Sequence, residues 1–230
     1  MLNDRKTSIL KLIVEDYIST GQPVASKQLV ERYQLALSSA TIRNIMAELA
    51  DLGYLHQPHT SAGRIPLYKA YRVYLESLSD ETQNQEDSDE SRAFSVVSGV
   101  EDATHRHIVN RLSELTSQLA LLSFPQRNYL SGIANFLENP EFTDIDQLAA
   151  IFRILEIPEA TKPAFIYPAQ GHEVVFLIGN ENYYEQMNNC TFVYMNYPCG
   201  SVQGYLGIVS PLRLDYHKTL DVFTQLTANL

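Results

Sequence analysis

From residue 4 onward the apolar residues Ile9, Leu10, Ile13, Val14, Tyr17 and Ile18 return every three or four positions, which lays one apolar stripe along an α-helix. Gly21 and Pro23 end it, since glycine readily takes the left-handed conformation that closes helices and proline cannot continue one. A shorter second helix is predicted over residues 27–33, with Ser26 as its candidate N-cap. The third, capped by Ser38 or Ser39 and stopped by Gly53, places Ile42, Ile45, Met46, Leu49 and Leu52 on one face. Its opposite face carries Thr41, Arg43, Asn44, Ala47 and Glu48. The period then changes: residues 54–58 and 64–66 read as two short extended runs around a polar tip, His59-Thr60-Ser61-Ala62-Gly63. Three helices followed by a hairpin predict a winged helix-turn-helix.

Residues 79–91 contain no apolar side chain and six acids, a composition that does not repay ordering and reads as a flexible linker over 79–99. Beyond it, Ile108, Leu112, Leu115, Leu119 and Leu122 recur at steps of four, three, four and three. That stripe fits a coiled-coil dimer seam or an ordinary amphipathic helix packed on its own domain. From Asn128 both periods mix: a short helical stretch at 131–138, a helix at 144–155, strands at 163–167, 174–178, 191–196 and 203–209, and a closing helix over 214–230. Asp144 and Asp146 suit that helix start. The fold class is α+β, divided into a DNA-binding domain at 1–78, the acidic linker at 79–99 and a second domain at 100–230.

Charge decides which part could meet a nucleic acid. The net charge of −10 argues against phosphate binding by the whole chain, because such binding is driven by Lys and Arg displacing counterions. Residues 1–78, however, hold nine Lys and Arg against seven Asp and Glu, so the excess acid lies beyond them. The expected DNA contacts are Ser39, Thr41, Arg43 and Asn44 on the third helix, whose side chains include the donor and acceptor types that read base edges and grip phosphates. His59, Thr60, Ser61 and Arg64 join them from the hairpin, with Gly63 allowing close approach.

Other chemistries find little support. His56 and His59, and likewise His105 and His107, lack the neighbours of a metal site, and no metal or cofactor is expected. The chain has no GxSxG elbow, HExxH pair or phosphate-binding glycine loop, and Gly200, Gly204 and Gly207 read as turn and strand-packing glycines, so no enzyme is predicted. Cys190 and Cys199 are too few for a disulfide framework and read as reduced structural thiols. Apolar runs such as 174–179 and 206–212 fall far short of the roughly 18 residues of a membrane span, and residues 1–6 carry no signal-peptide pattern, which makes the cytoplasm the expected address.

Four blocks carry a family resemblance. Leu37-Ser38-Ser39-Ala40-Thr41-Ile42-Arg43-Asn44 and Gln57-Pro58-His59-Thr60-Ser61-Ala62-Gly63-Arg64 resemble the N-terminal domain of the HrcA heat-inducible transcription repressors. Gly132-Ile133-Ala134-Asn135-Phe136-Leu137-Glu138-Asn139-Pro140 and Gly204-Tyr205-Leu206-Gly207-Ile208-Val209 resemble that family's C-terminal GAF-like domain. Small departures are Leu67, Ala70, Ser210 and Leu214; the larger one is Ser123-Phe124-Pro125, which stands where the family carries a long central stretch with part of its sheet and a dimerisation segment. The resemblance implies a repressor of chaperone genes acting as a homodimer on an inverted-repeat operator in double-stranded DNA, modulated by a chaperonin of the GroEL type, cytoplasmic and nucleoid-associated. The competing reading is a small-ligand-sensing winged-helix regulator that uses its GAF-like half as the sensor.

Overall fold

The structure is a computed structural model that describes residues 2–60, 62–82, 101–156, 169, 173–199 and 202–228. The chain forms two compact units, Met1–Gln85 and Glu86–Leu230.

The first unit opens with α1 (Asp4–Thr20). Asn3 Oδ1 accepts the Lys6 N–H at 2.9 Å to cap its start, and Gly21, at φ +64°, closes it by donating to the Tyr17 carbonyl. α2 (Ser26–Tyr33) starts differently from the expectation: Ala25 occupies the cap position, no side chain caps it, and Ser26 is a buried first helical residue. α3 (Ser39–Asp51) resolves the choice of cap in favour of Ser38, whose Oγ accepts the Thr41 N–H at 3.1 Å. Ile42, Ile45, Met46 and Leu49 are buried, whereas Leu52 is 51% exposed because it falls past the last helical turn. β1 (Leu55–His56) and β2 (Ile65–Pro66) pair antiparallel, Leu55 opposite Pro66. α4 (Tyr68–Thr82) then packs against α1 and β2 through buried Tyr71, Tyr74, Leu75 and Leu78. It continues through residues 79–82, the beginning of the expected linker; residues 83–99 lie outside the described part. Buried Asp16 on α1 is held by a charge-assisted hydrogen bond from Arg32 on α2.

The second unit is built on an antiparallel sheet that has five strands among the described residues. The strands are β3 (Leu119–Phe124), β4 (Arg127–Ser131), β5 (Val175–Ile178), β6 (Cys190–Cys199) and β7 (Val202–Pro211), which lie side by side in the order β4-β3-β7-β6-β5. Among the described residues four α-helices accompany it: α5 (Glu101–Thr116), α6 (Ile133–Leu137), α7 (Ile145–Glu156) and α8 (Tyr216–Ala228). Alternation along the strands sorts the side chains. Leu119, Leu121, Leu177, Phe192 and Tyr194 share one core with Phe136 of α6 and Leu148, Ile151 and Leu155 of α7. On the other face Thr191 and Phe176 meet Tyr216 of α8 through a 3.0 Å hydrogen bond and stacked rings, and α5 packs against β3, β4 and α8. This is an α+β fold, consistent with a GAF-like domain.

Two expectations are corrected here. The leucine stripe does not run along one helix: α5 ends at Thr116, Ser117 turns the chain at φ +56°, and Leu119 and Leu122 lie on β3, so these five residues form no coiled-coil seam. The helix expected at 131–138 is only Ile133–Leu137, because Arg127–Ser131 is an unforeseen strand. The missing central stretch is closed by the turn Pro125-Gln126, with Phe124 and Arg127 facing each other across the β3–β4 ladder. The expected strand at 163–167, and Gly200, lie outside the described residues. Gly207 is a packing glycine: a Cβ there would come 2.4 Å from the Val193 carbonyl oxygen.

Candidate nucleic-acid interface

The site is assembled by two local devices. After α3, Gly53 takes φ +77° and swings the chain into the hairpin. The hairpin is then tied back onto the α1–α2 connection: Val24 and Arg64 exchange backbone hydrogen bonds of 2.9 Å in both directions. Gly63 makes this approach possible, since a Cβ there would lie 2.4 Å from the Val24 oxygen and 2.6 Å from the Pro23 oxygen. Its role is therefore packing against the chain's own backbone, a correction to the expectation that it clears space for a ligand.

Within this frame Arg43, Thr60 and Arg64 line one cleft of about 440 Å³, along with Ser26, Met46 and Gln57. Arg43 and Asn44 are exposed on α3, His59 and Thr60 are exposed at the hairpin tip, and Ser39, Thr41 and Arg64 are half-buried. Ser39, Thr41, Asn44 and His59 do not line the cleft, and Ser61 lies outside the described residues. The Thr41 hydroxyl is 2.9 Å from that of Ser38, so it serves the helix cap. Among the described residues the side chains of Arg43 and Arg64 form no ion pair.

Electrostatics favour an anion here. The first turn of α3 holds no acidic residue, and a helix N-terminus carries partial positive charge. Glu48, the acid on the exposed face, is neutralised by Lys6 at 2.7 Å. Sequence reasoning missed Gln57, whose Nε2 donates to the carbonyls of Thr60 and Ala62 at 3.0 Å each and so shapes the tip. Its only signal was a position just before the proline that opens the turn. No group of three or more His, Cys, Asp or Glu among the described residues is placed to hold a metal ion, and no described helix is long and apolar enough to cross a membrane.

Comparison with known proteins gives the class. Over its whole length the chain is similar to heat-inducible transcription repressors, a class of regulators and not of enzymes. Residues 70–220 match the family described as HrcA protein C terminal domain, and the chain belongs to the HrcA family. The heat-inducible transcription repressor HrcA of Pelotomaculum thermopropionicum is 26% identical over 333 aligned positions, about a hundred more than this chain has residues, covering 100% of this chain and 96% of that protein. The Clostridium perfringens repressor is 41% identical over 154 residues, 66% of this chain and 44% of its own. A crystal structure of a protein described only as hypothetical shares the fold, with a TM-score of 0.83, 20% identity and coverage of 100% of this chain and 97% of the other. These similarities favour the repressor over the ligand-sensing alternative.

Proposed function

We propose that the first unit is a winged helix-turn-helix whose α3 enters the major groove of double-stranded DNA while its β1–β2 hairpin grips the adjoining backbone. The observation that carries this is the single cleft lined by Arg43 of the helix and by Thr60 and Arg64 of the hairpin, in which neither guanidinium forms an ion pair among the described residues. Arg43 and Asn44 would read base edges, as guanidinium and amide groups pair with purine acceptors and donors. Ser39, Thr41, His59, Thr60, Ser61 and Arg64 would hold phosphates and set the register. The proposed division is a DNA-binding domain that ends with α4 at Thr82 in place of residue 78, a linker from there to residue 99, and a GAF-like partner domain over 100–230.

A monomer of this size reads one half-site. Two copies related by a two-fold axis fit an inverted repeat, so the homodimer is the proposed binding form, with a chaperonin as its modulator and the cytoplasmic nucleoid as its place of work. The test is a gel-shift titration with an operator duplex. Arg43→Ala is expected to weaken binding by about 1–3 kcal/mol, roughly 5- to 150-fold, and to relax preference at one base position. Unchanged affinity would remove Arg43 from the interface.

A further inference from the structure

The second unit contains a cysteine–histidine pair that transcriptional repression does not use. Cys199, the last residue of β6, places Sγ 3.5 Å from Nε2 of His105 on α5. His105 is 6% exposed and ringed by aromatics, with centroids 4.9 Å from Phe124, 5.4 Å from Tyr129 and 6.0 Å from Tyr197. Gly204 makes that wall possible, because a Cβ there would sit 2.5 Å from the Phe124 ring. Cys199 and His105 open onto a surface cleft of about 350 Å³ walled by Phe124, Tyr129 and Val202 and rimmed by the Pro125-Gln126 turn. The guanidinium at its edge is already committed: Arg127 lies 2.6 Å from Asp102 and 3.1 Å from the Tyr129 hydroxyl.

We infer that Cys199 is a modification site, where a thiol deprotonated by His105 adds to small, uncharged α,β-unsaturated carbonyl compounds that enter this cleft. The thiolate is the reactive form of cysteine, and an adjacent imidazole is a proton acceptor that supplies it near neutral pH. The Sγ proton passes to Nε2, and the sulfur pair forms a carbon–sulfur bond to the β-carbon. The carbon–carbon π pair then moves onto the α-carbon and carbonyl as an enolate, which takes the proton back from the imidazolium. The product is a thioether, and no oxidant or reductant is needed. The apolar walls select for an uncharged, compact electrophile.

Tyr197 on β6 is held above its ordinary range chiefly by burial and further by Cys199, while Tyr129 on β4 is raised chiefly by burial and further by Asp102, so both stay neutral near pH 7. Asp102 and Arg106, on the same helix as His105, pair with each other, and Asp102 also pairs with Arg127. Cys190 is an internal control: fully buried, its thiol is pushed up to about 12.

The experiment treats the full chain with limiting N-ethylmaleimide beside N-acetylcysteine and measures site occupancy by peptide mass. Cys199 is expected to react at pH 6.5 about tenfold faster than the small thiol or more, with Cys190 unmodified and a rate that levels off below pH 7. His105→Gln should return Cys199 to the pH profile of an ordinary thiol, climbing towards about pH 8.5. Because His105 is buried and that variant could lose its fold, the wild-type profile is decisive alone. A Cys199 rate equal to or below that of N-acetylcysteine, rising with pH as that thiol does, overturns the inference, as does equal labelling of both cysteines.

Discussion

At the scale of single residues the candidate interface hangs on Gly63. Its neighbours on the approach side are backbone atoms of Pro23 and Val24, which cannot rotate away as a side chain would. Gly63→Ala must therefore separate the two backbones and strain the Val24–Arg64 bridge. Forcing extra volume into such a contact costs typically about 1–3 kcal/mol. The expected result is a lower denaturation midpoint, with operator binding weakened although no proposed contact has been removed. Wild-type stability in urea titrations would show that the hairpin is not held by this contact. The glycine was visible in the sequence, but its reason was not: the neighbour it accommodates is nearly forty residues away, in the α1–α2 connection.

At the scale of elements, helix ends decide where the interface residues point. Ser38 satisfies an N–H at the start of α3 that would otherwise lack a partner. Ser38→Ala should cost about 1 kcal/mol by thermal denaturation, and should also free the Thr41 hydroxyl from its present neighbour. α1 and α3 were legible because each has one solvent face, which makes the apolar period visible. β3 was not: Leu119, Ala120, Leu121, Leu122 and Ser123 are all buried, as both faces of the central sheet are covered. A continuous apolar run has no alternation, and two of its leucines fell into register with the stripe of α5. Arg43, Thr60 and Arg64 were recognised one by one, whereas Gln57 and the tether at Val24 required the fold, since they act through backbone groups. A further element-level contact joins α5 to β4. Asp102 is held below the usual carboxylate range, first by a hydrogen bond from Tyr129 and then by Arg106. A depressed folded value means that this contact stabilises in full above the ordinary value near 4, and that the stabilisation is lost as pH falls from there through the lower folded value. The unfolding midpoint should drop below about pH 4, and Asp102→Asn should flatten that part of the profile. The effect should shrink in high salt, since these groups are solvent-exposed.

At the scale of the whole molecule the chain is anionic, with a net charge of −10, yet its proposed partner is a polyanion. Short-range contacts at α3 and the hairpin can hold DNA once docked, but the approach is governed by the summed field, which extends about one Debye length. The excess acid beyond residue 78 should orient the molecule, repelling phosphate from everything except the first unit. It should also slow the encounter. Replacing the six acids between Asp80 and Glu90 with Asn and Gln removes six negative charges and leaves every proposed contact untouched. Association measured by stopped flow should then accelerate several-fold at low ionic strength, and the two proteins should converge at high salt. Dissociation and base preference should stay unchanged, because neither depends on the long-range field. Equal association rates at low salt would mean that the acidic segment takes no part in steering, and that α3 and the hairpin alone set the kinetics of operator search.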